Sequence, residues 1–241
     1  MNQFFIVGAQ RSSTTWLYKM LQQHPEIKMA EPVKPEPKYF LNDIFDNNKD
    51  NYLTKYFKNI EPGILACGEK STSYIEYELA AKRISMMFPN AKIIMMLRNP
   101  AKRAISNYQF SVNNGLETRS IREAILNEKP APKLDNPLST DPFDYLSRGL
   151  YRNYVELYEN YFPKSNILLL STESITKDIA VLSKAYNFLG VNKDFFPSDF
   201  NHSENASIDK VNVPEEVMKY LDDYYSKTIR YLCQHPRFNE K

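Results

Sequence analysis

The stretch Gly8-Ala9-Gln10-Arg11-Ser12-Ser13-Thr14-Thr15-Trp16 sets a turn residue, a fixed cation and four consecutive hydroxyl side chains directly after the apolar run Phe4-Phe5-Ile6-Val7. A helix that begins among such residues offers unpaired backbone N–H groups and the positive end of its dipole, which suits a phosphate or sulfate group. The same residues also serve a plain strand-to-helix connection whose Ser and Thr only cap the helix. Farther on, Glu69 and Lys70 close the run Ile64-Leu65-Ala66-Cys67-Gly68. A carboxylate there can take a proton and an ammonium can hold negative charge, although composition alone favours a solvated ion pair. Arg98 and Ser106 follow the run Ile93-Ile94-Met95-Met96-Leu97. Together they could hold a second anion, or belong to the solvated face of a helix.

These residues need strands and helices to position them, and the chain supplies both in alternation. Phe4–Val7, 64–68, 93–97 and 167–170 read as buried strands. Trp16, Leu17, Met20 and Leu21 recur at helical spacing up to His24-Pro25, and Ala80, Ile84, Met87 and Phe88 mark a second helix. Pro100 opens a third helix with Ala104, Ile105 and Tyr108 facing inward. Tyr151, Tyr154, Val155 and Tyr158 mark a fourth, and a fifth from Ile179 through Leu189 ends at Gly190. Pro214-Glu215-Glu216 starts the last, with Val217, Leu221, Tyr224 and Leu232 as its core face. The alternation predicts an α/β fold, a single domain over residues 1–241 with a central parallel sheet flanked by helices. Proline-bearing segments at Glu31–Phe40 and Lys129–Pro142, and the stretch Phe195–Val213 with His202, Asn205 and Lys210, read as loops.

Composition narrows the function. With 241 residues, 42% of them hydrophobic, the chain can bury a substantial core. A net charge of +2 argues against general nucleic-acid binding. Local charge is sharper: Lys92–Leu116 holds Lys92, Arg98, Lys102 and Arg103 and no acid. Two distant cysteines and no apolar leader point to a reducing, cytoplasmic setting, and no run is long enough to span a membrane. His and Cys show no metal-ligand spacing. The loop after Val7 lacks the second Gly and the Lys of a nucleotide triphosphate loop.

In these features the chain resembles the sulfotransferases that use 3′-phosphoadenosine 5′-phosphosulfate (PAPS). Gln10–Trp16 is similar to the family's K/R-x-G-T-T loop, and Arg98-Asn99-Pro100 with Ser106 is similar to its Arg-[Asn/Asp]-Pro motif with a Ser eight residues after the Arg. Glu69-Lys70-Ser71-Thr72-Ser73-Tyr74 resembles the E-K-[ST]-x-x-Y segment of the heparan-sulfate and related carbohydrate branch. Lys34–Phe40 resembles its Lys-Glu-Pro-x-x-Phe substrate loop with one residue added, and Arg148-Gly149-Leu150-Tyr151 its R-G-x-Y segment. The resemblance implies that Arg11, Ser12, Ser13, Thr14, Thr15 and Trp16 hold the 5′-phosphosulfate, that Arg98 and Ser106 hold the 3′-phosphate, and that Tyr151 joins the cofactor site. It implies Glu69 as general base, Arg11 and Lys70 as charge-stabilising catalytic groups, and Lys34, Lys38 and Phe40 as substrate contacts.

PAPS would be the donor, adenosine 3′,5′-bisphosphate the product, and no metal would be required. The acceptor would be a hydroxyl or amine on a saccharide, lipid or small metabolite, and the enzyme soluble, without the membrane anchor of Golgi relatives. Two departures stand out. Ser13 fills a position usually held by Gly, at a cost of roughly 1 kcal/mol if φ is positive. The late Gly-Arg clamp is missing, leaving Lys210 or Asn205 to take its place. The rivals are a non-catalytic anion-binding module and, more remotely, a P-loop-type kinase.

Overall fold

The computed structural model describes residues 1–134, 140–175, 178–200, 212–235 and 238. In chain order its main elements are β1 (Asn2–Gly8), α1 (Thr14–Gln22), β2 (Ile27–Met29), α2 (Lys49–Tyr56), β3 (Ala66–Lys70), α3 (Glu78–Met87) and β4 (Lys92–Leu97). There follow α4 (Pro100–Asn113), α5 (Ile121–Ile125), α6 (Tyr151–Glu159), β5 (Ile167–Ser171), α7 (Thr172–Ile175), α8 (Ile179–Leu189) and α9 (Glu215–Gln234). The five strands form one parallel sheet in the order β2-β3-β1-β4-β5. Helices flank it, as the alternation of elements predicts.

The chain divides into two compact units, Met1–Leu97 with Tyr154–Glu204, and Arg98–Asn153 with Asn205–Lys241. The first contains the sheet. Side chains of a strand alternate between faces, and β1 uses both. Phe4 and Ile6 enter an aliphatic layer with Leu17 and Leu21 of α1, Ile94 and Met96 of β4, and Leu182 and Leu189 of α8. Phe5 enters an aromatic layer instead, with ring centroids 5.4 Å from Phe40 and 5.8 Å from Phe88, and Tyr52 of α2 completes it. Asp178 caps α8 by accepting the Ala180 N–H, and Gly190 ends it in the left-handed conformation at φ 77°.

The second unit is helical. Ala104 and Tyr108 of α4, Ile121 and Ile125 of α5, and Val217, Leu221 and Tyr225 of α9 make its core. Asn99 caps α4 by accepting the Lys102 N–H, and Pro100 takes the first helical position where its missing N–H costs nothing.

Two expectations change. The strand expected at 64–68 lies at Ala66–Lys70, since Leu65 is half exposed and Glu69 and Lys70 continue the ladder against β1. On α9 the core aromatic is Tyr225, not Tyr224, which is 38% exposed. Phe195–Val213 falls largely outside the described residues, and with it His202, Asn205 and Lys210. Part of Lys129–Pro142 does so too.

Candidate active site

β1 delivers the chain to the carboxyl edge of the sheet, and the loop that follows is shaped by close contact. At Gly8 an added Cβ would lie 2.6 Å from Ile75 Cγ2 and 3.1 Å from the Thr72 carbonyl, so no other residue lets β1 approach the segment after β3 this closely. The Ala9 N–H donates to the Met96 carbonyl at 2.7 Å and ties the loop to β4. Arg11 and Ser13 then adopt left-handed backbone, at φ 67° and 58°. The first residue of α1 to donate along the helix is Leu17, to the Ser13 carbonyl. Ser13 makes no side-chain cap. The N–H groups of Thr14, Thr15 and Trp16 therefore open the helix without a capping side chain. Ser12 is fully buried and its Oγ has no hydrogen-bond partner among the described residues, while its carbonyl accepts from Thr172 Oγ1 at 3.0 Å. Trp16 contributes only backbone here; its ring lies in the aliphatic layer, 5.7 Å from Phe200.

The neighbouring strand β3 ends in a carboxylate enclosed by hydroxyls. Glu69 has no exposed surface. Its Oε1 accepts from Ser71 Oγ at 2.7 Å and from Tyr74 OH at 2.6 Å, and its Oε2 from Tyr52 OH at 2.6 Å. Burial raises its pKa above the usual carboxylate range, against the three hydroxyl donors that lower it, and the charge of Glu36 adds to the rise. Burial and the charge of Glu69 hold the phenols of Tyr52 and Tyr74 well above their ordinary value.

Lys70 is also buried, and its ammonium donates to Glu36 Oε1. Glu36 in turn accepts the Thr72 N–H at 2.8 Å and Thr72 Oγ1 at 3.0 Å. Its side chain keeps 16% of its surface exposed. Glu36 belongs to the proline-bearing segment, which lies directly on the end of β3. The Lys38 N–H donates to Ser71 Oγ at 3.0 Å and the Phe40 N–H to Tyr74 OH at 3.2 Å. Lys38 is left-handed at φ 48°. Of the substrate contacts expected in this segment, Lys34 is exposed and Lys38 half-buried. Phe40 is fully buried in the aromatic layer, so its ring supports the segment from beneath.

The structure thus brings Arg11–Thr15, Glu69, Lys70, Lys38 and Glu36 to the carboxyl ends of adjacent strands, where Ile6 of β1 pairs with Lys70 and its carbonyl accepts the Ser71 N–H. Glu36 carries no role in the sequence reading. The Lys34–Phe40 likeness contains this acid, although the resemblance gives substrate contacts only to Lys34, Lys38 and Phe40. Arg98, Ser106 and Tyr151 lie in the second unit. Arg98 directly follows β4, Ser106 is half-buried on α4, and Tyr151 is fully buried at the start of α6. That unit also holds a fully buried arginine, Arg103, whose guanidinium donates to the Tyr145 carbonyl. No group of three or more His, Cys, Asp or Glu among the described residues could hold a metal ion, and no helix there is long and apolar enough to cross a membrane.

The family model described as "Sulfotransferase domain" matches residues 1–211. The chain is 30% identical over 220 residues to the bifunctional heparan sulfate N-deacetylase/N-sulfotransferase 3 of Homo sapiens, covering 86% of the chain and 24% of that protein. It is 29% identical over 192 residues to the heparan sulfate glucosamine 3-O-sulfotransferase 6 of Mus musculus, covering 79% of the chain and 53% of that protein. It therefore spans between a quarter and about half the length of these relatives. A solved structure, a sulfotransferase from Alicyclobacillus acidocaldarius, is similar at TM-score 0.72 and 26% identity, with 95% of the chain and 93% of that structure covered.

Proposed function

Since the chain belongs to the sulfotransferase domain family, we propose that it transfers a sulfuryl group from PAPS to a hydroxyl or amine of an acceptor, with saccharides as the first acceptor class to test. The observation that carries this reading is the pairing of two unlike sites on adjacent strands. One is a helix start with a buried Ser12 hydroxyl that has no partner among the described residues; the other is a carboxylate, 16% exposed, bonded to a buried ammonium. The first fits a phosphosulfate, because the N–H groups that open α1 have no side-chain cap, the buried Ser12 hydroxyl has no partner among the described residues, and Arg11 adds charge. When bound, PAPS supplies an activated sulfuryl group with a nucleotide phosphate as leaving group.

The protein's part is positioning and charge. Arg11, Ser12 and the N–H groups of Thr14–Trp16 hold the 5′ end and the charge that develops on its leaving oxygen. Arg98, Ser106 and Tyr151 hold the rest of the nucleotide; Lys210 and Asn205, which the sequence offers for the late clamp, lie outside the described residues. Lys70 stabilises the sulfuryl oxygens as the acceptor attacks sulfur and the bridging S–O bond breaks. The acceptor's proton passes to a carboxylate, and geometry favours Glu36 over the expected Glu69 as the group that meets it. Glu69 is sealed, with both oxygens engaged by hydroxyl donors, whereas Glu36 is in contact with solvent and with Lys70. Lys34 and Lys38 line the acceptor's approach. Both compact units act as one sulfotransferase domain, in a cytoplasmic setting.

Thermal unfolding with adenosine 3′,5′-bisphosphate, against ATP with magnesium as control, tests the donor class. At about 100 times Kd a bound nucleotide adds roughly 2.7 kcal/mol, which raises the midpoint by about 5–11 °C. A shift with the bisphosphate alone supports the reading. Transfer from labelled PAPS to heparan sulfate and to simple alcohols and amines then tests the acceptor. Binding without transfer to any of them would favour the non-catalytic module, and no shift at saturating nucleotide would overturn the assignment.

A further inference from the structure

We infer that Glu69 is a positioning residue that sets the place of Glu36 and Lys38 by fixing the direction of two hydroxyl protons; the inference rests on the reading of Glu36 as the proton acceptor. An ionised carboxylate only accepts hydrogen bonds, and a hydroxyl carries one proton. Ser71 and Tyr74 each give that proton to Glu69 Oε1, at 2.7 and 2.6 Å. Their lone pairs are thereby turned outward. Each meets a backbone N–H of the proline-bearing segment, Lys38 at Ser71 Oγ and Phe40 at Tyr74 OH. The two bonds hold the first and last N–H groups of the Lys38–Phe40 backbone, where Lys38 takes a left-handed conformation that needs support from its surroundings. Two residues before Lys38, Glu36 reaches Lys70 and Thr72.

The carboxylate's two oxygens divide the labour. Oε1 faces the segment through Ser71 and Tyr74, while Oε2 accepts only from Tyr52 of α2 among the described residues. A merely structural buried acid would make all three hydroxyls equivalent. The inference makes them unequal, because losing the Ser71 or Tyr74 oxygen removes an acceptor for Lys38 or Phe40, and losing the Tyr52 oxygen removes none.

Hydrogen–deuterium exchange of the full chain, read on peptides covering residues 36–41, tests this without either substrate. Ser71→Ala and Tyr74→Phe should accelerate exchange there by about tenfold or more, the scale of one lost bond in a charge-assisted network. Tyr52→Phe should leave that segment at the wild-type rate, and Ser71→Thr, which keeps the hydroxyl, should restore protection. Glu69→Gln should accelerate exchange less than Tyr74→Phe, since one amide oxygen still accepts. Adenosine 3′,5′-bisphosphate affinity should be unchanged throughout, and kcat should fall with Ser71→Ala and Tyr74→Phe but not with Tyr52→Phe. Folded Ser71→Ala and Tyr74→Phe proteins with unaltered exchange would overturn the inference, as would equal acceleration in Tyr52→Phe. A Glu36→Gln protein that keeps full turnover would overturn the base assignment instead, and would leave the exchange result standing.

Discussion

The loop after β1 and the end of β3 lie side by side on the sheet and solve opposite problems. At the start of α1 two features are left open: the helix begins without a side-chain cap, and Ser12 Oγ has no partner among the described residues. Around Glu69 the polar groups are closed, with three hydroxyls spent on one carboxylate. Buried polar groups without partners are costly, so a helix start that keeps them open is suited to accept an outside anion. A saturated region is shaped for itself, and its use is to hold neighbours still. An ionisable residue at a strand's carboxyl end is therefore not by that fact the reacting group. Solvent exposure and the contact with the Lys70 ammonium separate Glu36 from Glu69, though both carboxylates have both oxygens engaged by donors.

The contrast breaks most visibly at Glu36. Glu36→Gln should lower turnover by about 10²–10⁴-fold, the usual worth of a general base, with bisphosphate affinity intact; steady-state transfer and calorimetric titration together check it. If Glu69→Gln instead gives that full loss with an undisturbed 36–41 segment, the buried acid is the base and the contrast fails. Arg11→Ala should act on the open side. It keeps the Cβ in the left-handed backbone and removes the charge, so bisphosphate affinity should weaken by about 10- to 100-fold, on the scale of one charge-assisted bond. Unchanged affinity would take Arg11 out of the anion site.

The closed side has a pH signature. Because burial raises the Glu69 pKa in the folded protein, the folded state holds that proton more tightly than the unfolded state. Stability from this group is then fully present below the unfolded carboxylate pKa and is lost as pH rises through the raised folded value. Glu69→Gln cannot titrate. Its unfolding midpoint, followed from about pH 4.5 upward, should decline less with rising pH than that of the wild type, and parallel curves would mean that the folded environment does not favour the neutral acid.

Much of this frame is legible in the amino-acid order. β1, β4, β5 and helices α1, α3, α4 and α8 follow from apolar runs and periodicity, because each buries a continuous face. What escaped is short or polar. β2 is three residues long, and α2, KDNYLTKY, is held by the Asn48 cap and two tyrosines, not by an apolar stripe. The Glu69 enclosure was illegible for another reason. Tyr52 comes from a helix 17 residues upstream, and no local spacing signals that its hydroxyl reaches a strand end. The Phe40 ring, which the resemblance places among the substrate contacts, is fully buried against Phe5 and Tyr74, a packing that the motif alone does not signal.

The smallest effect belongs to Ser13, and it isolates backbone from side chain. At φ 58° a residue with a Cβ is strained, while Gly is not, and the Ser13 hydroxyl makes no cap bond to lose. Ser13→Gly removes the strain of roughly 1–2 kcal/mol but gives the unfolded chain more freedom, of about 0.5–1 kcal/mol. The net should be a gain of about 0.5–1 kcal/mol, a rise in midpoint of about 1–4 °C. Ser13→Ala keeps the Cβ and the strain, so it should show no such gain. Equal stabilisation by Ala and Gly would place the cost in the hydroxyl and not in the backbone, and the loop's left-handed turn would then be a conformation that serine holds without penalty.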